Sequence, residues 1–345
     1  MRGSVLIQGA ASASAGHVLV YFGSGPGVTT REWRAETTDG GVSWRVARTS
    51  GNLTMFAFAG LDGWAEGLRS DRAASFFATH DGGRTWHVAS SDAPAPGGVG
   101  DVSIAGGEVW SLGMGCCSDT VLRAAASSDH LAATAAQPPV GNATNVSVIA
   151  AQPDTAYVLT NGTGALPDAR LFATHDAGRT WRSLPAPCPR HRFSRLYSGA
   201  AATLWATCEP TRGHAELRRS TDGGAHWTTP VTQPSAIEQL QPVSAKVVWA
   251  VAAGGRVLRT VDGGRTWSQV WYGGRPEPAT LAGNTPPGLN RSWGTVLTVQ
   301  SPATATVIVS VTRASGRARR TNFVTYHTAD GGRTWRPSVV RLPTG

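Results

Sequence analysis

The feature that most restricts this chain is a pattern, Ser/Thr-x-Asp-x-Gly-x-x-Trp, that returns about every forty residues, a period characteristic of arrays of small repeated units. Copies begin at Thr37, Thr79, Thr174, Ser220, Thr260 and Thr328. Their aspartates are Asp39, Asp81, Asp176, Asp222, Asp262 and Asp330, and their tryptophans Trp44, Trp86, Trp181, Trp227, Trp267 and Trp335. The interval from Asp81 to Asp176 is about twice the usual step. Ser127-Ser128-Asp129-His130 stands midway as a worn copy without the glycine and the tryptophan. Asp129 thus completes a series of seven units, the last preceded by an insertion over 273–291.

A second feature repeats in phase with the first. Trp64, Trp110, Tyr157, Trp205 and Trp249 each precede their unit's aspartate within a short apolar run such as Val247-Val248-Trp249-Ala250-Val251. The phase predicts four strands per unit, clearest in the sixth: 237–243, 247–252, 256–261 and, after the aspartate turn, 266–271. Such units cannot bury both faces alone, and packing them radially into a closed ring solves the problem. The expectation is an all-β chain forming a single seven-bladed β-propeller. Its blades fall near 1–50, 51–92, 93–140, 141–187, 188–232, 233–272 and 290–345. With 42 glycines, 21 prolines and 13 tryptophans but only 15% charged residues, the composition agrees with short strands, tight turns and aromatic packing.

The repeated residues have a structural reason. An aspartate side chain accepts N–H bonds across a tight turn, glycine supplies the positive φ the turn needs, and tryptophan anchors the hairpin against the sheet. The aspartates and tryptophans of the pattern, Asp129 included, are therefore read as structural and not as catalytic groups.

The net charge of +9 rests on arginine, since Lys246 is the single lysine. Arg84, Arg179, Arg265 and Arg333 recur at one turn position, which spreads the charge around a rim. A nucleic-acid partner is disfavoured because no recognition motif or basic helix accompanies the charge. No apolar run reaches the length of a membrane span. Val5-Leu6-Ile7 is too short for a signal-peptide core, which leaves either a cytoplasmic protein or an export signal lost from this start.

On those quoted turns the chain resembles the Asp-box, or BNR-repeat, propellers over essentially its whole length. That group includes sialidases, xyloglucan-degrading hydrolases, sortilin-type receptors and photosystem II assembly-factor-like proteins, so the resemblance implies a fold and leaves function open. Sialidases of the group use six blades, an arginine triad and a tyrosine nucleophile paired with glutamate. This chain has seven units and no Arg-Ile-Pro segment, and Tyr197, Tyr272 and Tyr326 have no obvious glutamate partner. The xyloglucan enzymes join two propellers with a catalytic aspartate on each, and one propeller supplies half of such a cleft. Glycoside hydrolysis needs two carboxyl groups within about 5–10 Å, and Asp101, Glu238 and Glu277 cannot be paired from sequence. The reading that results is a non-catalytic scaffold without cofactor or metal, binding a protein or glycan, an anionic one among the possibilities. A glycoside hydrolase with an unrecognised carboxylate pair is the alternative.

Ligands of the resembling families bind the face opposite the aspartate turns. Three features map there: the proline- and glycine-rich insertion, a candidate lid; Arg313, Arg317, Arg319 and Arg320, a candidate anion-binding loop; and Cys116-Cys117, a vicinal disulfide or a reduced pair. Cys188 precedes the inner strand of unit five and Cys208 ends its second strand, which places them side by side in an antiparallel pair. They form either a disulfide or two thiols. A disulfide implies an oxidising compartment and hence export. Neither cysteine pair has zinc spacing, and His191 and His214 do not supply it.

Overall fold

The aspartate turns join the third strand of each sheet to the fourth, and the second turn shows how. Thr85 donates its N–H to Asp81 Oδ1 at 2.9 Å and its hydroxyl to Oδ2 at 2.7 Å. Arg84 N–H adds a bond of 2.8 Å, and Gly83 N–H binds the Thr79 hydroxyl at 3.0 Å. Gly83 sits at φ 80°, where a Cβ would be strained. Asp39, Asp176, Asp222, Asp262 and Asp330 accept the equivalent bonds. At the fifth turn the side chain of His226 replaces the hydroxyl, with Nδ1 2.6 Å from Asp222 Oδ2. Bonds from Thr180 draw the Asp176 carboxyl down to about 2, so it is an ionised brace and not an acid.

The computed structural model describes residues 5–342 except 15, 25–31, 50–51, 70, 72, 94–97, 116–118, 141–144, 162–168, 189–192, 201, 210–215, 230–236, 273–294 and 316–317. Among these residues there is no helix, and the chain is a seven-bladed β-propeller of antiparallel sheets. The first blade is Val5–Ser14, His17–Ser24, Glu32–Thr37 and Arg45–Arg48, each strand bonded to the next in chain order. The sixth is Ile237–Pro242, Val248–Ala252, Arg256–Thr260 and Ser268–Trp271, and the seventh Thr295–Val299, Ala305–Ser315, Ala318–Thr328 and Arg336–Val340. These three blades form one compact set, and blades two to five form the other, within 51–230.

In the second set, the second blade is Asn52–Ala59, Asp62–Leu68, Ala74–Thr79 and His87–Val88. The fourth is Asn145–Gln152, Thr155–Asn161, Arg170–Thr174 and Arg182–Leu184. In the fifth, Phe193–Ser198, Leu204–Glu209 and Glu216–Ser220 carry an outer edge reduced to the Arg219–Thr228 bridge. The third, Gly98–Ala105, Glu108–Met114, Asp119–Ala125 and His130–Ala133, acquires a fifth strand. Ser90–Ser91, leaving the second blade, pairs in parallel with His130 and Leu131.

Neighbouring first strands are stitched by side chains. In the second set, Ala150 N–H donates to Ser103 Oγ at 2.9 Å, and Ser198 Oγ donates to the Ala150 carbonyl at 2.7 Å, tying three blades in succession. In the first set, the Gln239 and Gln241 amides both reach the Leu297 carbonyl. The second strands of the first six blades bury a large aromatic at one place: Tyr21, Trp64, Trp110, Tyr157, Trp205 and Trp249 are at most 2% exposed. An arginine directly across the pair covers three of them, with Arg123, Arg219 and Arg259 at 5.6, 5.4 and 5.2 Å from the rings of Trp110, Trp205 and Trp249. Such stacking adds cation–π attraction to burial.

Two expectations change. Three of the turn tryptophans reach past their own hairpin to the preceding blade, whereas Trp86 packs on Phe56 and Phe58 of its own. Trp181, Trp227 and Trp335 donate their indole N–H groups to the carbonyls of Ala136, Pro185 and Val270, and Trp181 and Trp335 meet Trp110 and Trp249 edge to face. They are rivets between blades. Asp129, in turn, does not brace its hairpin. The third blade's fourth strand starts at the very next residue, His130, which leaves no loop for its carboxylate to close.

Candidate functional site

The first strands carry an irregularity that repeats where each begins. Pairing with the second strand skips one residue in four blades: Gln8, Met55, Asp101 and Glu238. A β-bulge re-aims its extra residue and is a recurrent device beside functional sites. Met55 is the extreme case, a non-glycine residue at φ 50° that is 52% exposed. Holding such a backbone costs on the order of 1–3 kcal/mol.

In blades two to five one bulge residue, Asp101, senses charge from its neighbours. Burial, then the neighbouring Glu66 carboxylate, pushes the Asp101 carboxyl up to about 6, against the opposing pull of Arg195 and the Val148 N–H. Glu66 comes from the second blade, Asp101 from the third and Arg195 from the fifth. Beside Arg195, Tyr197 bonds Thr207 and Arg195, and burial pushes its phenol up. That direction moves it away from a phenolate nucleophile. At the same ends of the second and third blades, Met55, Leu68 and Met114 stand exposed by 52%, 38% and 40%. The arrangement is an acidic pair with one balancing arginine, edged by apolar side chains on rigid strands.

The arginine segment is not a loop. Arg313 and Arg320 are directly paired residues in two eleven-residue strands, with Ala314 opposite Arg319. The hairpin is longer than the repeat predicts, its ladder running from Ala305 opposite Thr328 to Ser315 opposite Ala318. Arg317, the insertion with Glu277, Cys116, Cys117, His191 and His214 lie outside the described residues. Glu238 belongs to the sixth blade and is described apart from Asp101. Cys188 and Cys208 are joined by a disulfide, with Cα atoms 5.6 Å apart. Tyr326 packs on Trp271 at 5.0 Å between ring centres. No helix of the described residues is long and apolar enough to cross a membrane.

Glu66 and the apolar residues Met55, Leu68 and Met114 carry no motif, and sequence reasoning missed them. The one available signal was register, since Glu66 and Leu68 lie opposite Thr54 and Asn52 across the bulged pair. The described residues also hold one group with metal-ligand chemistry, His80, His87 and Asp129.

The fold and this charged centre define a β-propeller with a candidate binding face where its first strands begin. No protein-family model matches the chain, and no curated protein matches it in sequence. Solved structures do. "YCF48 bound to D1 peptide" is 17% identical with a TM-score of 0.54, over 89% of this chain and 91% of that one. The propeller domain of the Trilobed protease from Pyrococcus furiosus, described as having an open velcro topology, is 10% identical with a TM-score of 0.61, over 97% of each chain. The GH74 enzyme of Niastella koreensis is 14% identical with a TM-score of 0.51, over 78% of this chain and 38% of its own. Similarity at these identities shows the fold.

Proposed function

We propose that this propeller is a non-catalytic scaffold of the Asp-box type that holds a protein segment on the face where its first strands begin. The observation that carries the reading is that Met55, Leu68 and Met114 stand exposed at the strand ends of the second and third blades, the blades from which Glu66 acts on Asp101. Apolar residues at rigid strand ends, Met55 among them on a strained bulge, supply burial, and the neighbouring carboxyls favour a cationic side chain, which would relieve their mutual repulsion. A propeller bound to a peptide is among the similar folds, which supports the reading at the level of fold alone. The Cys188–Cys208 disulfide favours an extracytoplasmic setting.

The test is a peptide array probed with the purified chain. Apolar–basic peptides are expected to bind, and the Met55→Asp/Leu68→Asp variant to lose tenfold or more in affinity while keeping its circular dichroism. Equal binding by the variant overturns the reading. The second reading, a glycoside hydrolase, rests on Asp101, whose raised carboxyl next to a second carboxyl has the electrostatics of an acid–base pair. Turnover of a β-glucan or sialoside substrate, abolished in Asp101→Asn, would favour it over the scaffold.

A further inference from the structure

The worn third repeat has done more than lose its turn. In an intact copy the aspartate caps the N–H four residues on, as Asp81 does for Thr85. In the third blade that N–H belongs to Ala133, and it is capped by Asp92 Oδ2 at 3.0 Å. Asp92 arrives on the segment whose Ser90 N–H binds the Asp129 carbonyl at 2.9 Å and whose own N–H binds the Leu131 carbonyl at 3.0 Å. Asp92 has taken over the brace, and the Asp129 carboxylate is released for other partners.

Those partners are two imidazoles. His80 Nε2 and His87 Nε2 converge on the same atom, Asp129 Oδ1, at 2.9 and 2.6 Å. Their ring centres are 5.6 Å apart. The other nitrogen of His80, Nδ1, lies 2.6 Å from Asp62 Oδ1. Without a cation, His80 satisfies two carboxylates only as a doubly protonated ring. A divalent ion seated between the two Nε2 atoms and Asp129 does the same work with His80 neutral. Nδ1–H then donates to Asp62, the carboxylate–histidine arrangement that fixes tautomer and ring at metal centres.

We propose that His80, His87 and Asp129 bind a first-row divalent transition ion, with Asp62 orienting His80. The three ligand atoms lie within 4.8 Å of one another, and the carboxylate needs to draw back by roughly half an ångström or more to open the 2.6 and 2.9 Å contacts into a tetrahedral shell. Two imidazoles select against Ca2+ and Mg2+, which prefer oxygen shells. All three side chains are 38–61% exposed, so the ion has an open approach and a free coordination position for water. The site ties the second blade to the third on the side of the aspartate turns, away from the proposed peptide face. Sequence spacing gave no sign of it, because the third ligand lies forty-two residues beyond the second.

The experiment is calorimetric titration of chelator-treated, full-length protein with Zn2+, paired with thermal denaturation and with the visible spectrum of added Co2+. The expected result is one ion per chain, released protons, a melting temperature raised by zinc and reversed by chelator, and a tetrahedral Co2+ band. His80→Ala and His87→Ala should each lose uptake, and Asp62→Asn should weaken it roughly tenfold or more. His226→Ala, which removes an unrelated exposed His–Asp pair, should leave it unchanged and serves as the control. Absence of stoichiometric uptake overturns the proposal, as does uptake that survives loss of either histidine in a variant of unchanged circular dichroism. A chelator-insensitive protein without a Co2+ band would show an imidazole–carboxylate network and nothing more, and so would overturn it too.

Discussion

Trp44 of the first blade donates its indole N–H to the Thr325 hydroxyl of the seventh at 3.2 Å. Around that bond Phe22 stacks on Phe323 with centres 4.3 Å apart, and the Ser338 hydroxyl donates to the Val42 carbonyl. Gly40 admits His327 so closely that a Cβ would lie 2.9 Å from its Nε2. Trp44 is half-buried, so Trp44→Ala should cost about 2–3 kcal/mol and Trp44→Phe, which removes the hydrogen bond but little volume, about 1 kcal/mol. Urea denaturation of the two variants checks the order.

Ala177 occupies the first glycine position of its turn at φ 63°. A Cβ in the left-handed region costs about 1–2 kcal/mol, part of which glycine returns as entropy of the unfolded chain. Ala177→Gly should therefore stabilise the protein by about 0.5–1 kcal/mol, measured as a shift of the denaturation midpoint at constant slope. Gly178→Ala should do the reverse, since its Cβ would meet Thr134 Cβ at 2.6 Å.

Asp101 gives stability an unusual pH dependence. Its carboxyl is pushed up to about 6 in the fold, against about 3.9 in an unfolded chain. Between these values the folded state holds the proton more tightly, so the stabilisation is complete below about pH 4 and is lost as pH rises through about 6. Asp101→Asn, neutral throughout, should remove this decline and gain about 1–2 kcal/mol at pH 7.5 relative to the native protein. Denaturation series at pH 4.5 and 7.5 read the difference directly.

The Cys188–Cys208 bridge closes a loop with a sequence separation of 20. Cross-linking a loop of this size restricts the unfolded chain by about 3 kcal/mol. The double variant Cys188→Ala/Cys208→Ala should lose an amount of that order, and addition of a reductant should destabilise the native protein but not the variant. Mass spectrometry under non-reducing conditions should find these two thiols joined.

The turns and the second-strand aromatics were legible because they are periodic in residue type. Asp81 and Trp64 have counterparts of the same residue type in most units, and a repeat broadcasts the same physical demand several times over. The bulges are periodic only in backbone geometry, with Met55, Asp101 and Glu238 at equivalent places, so no pattern of residue types announces them. Glu66 beside Asp101, and Arg123 over Trp110, depend on cross-strand register, which a one-residue slip would erase. Asp129 misled for the opposite reason. Its position in the series was right, but its role had passed to Asp92, a residue outside the pattern. The first strand begins at Val5 and pairs with His17–Ser24, so removing residues 5–9 would strip part of a ladder.

Every blade described above is a continuous stretch of chain, and the first and last exchange no strand. A gene duplication or deletion can therefore add or remove a whole blade without having to split one between two ends of the polypeptide. Among the described residues, the seam between the first blade and the seventh is held by side-chain contacts and side-chain hydrogen bonds, with no strand shared across it. Selection could in this way revise the ring one repeat at a time.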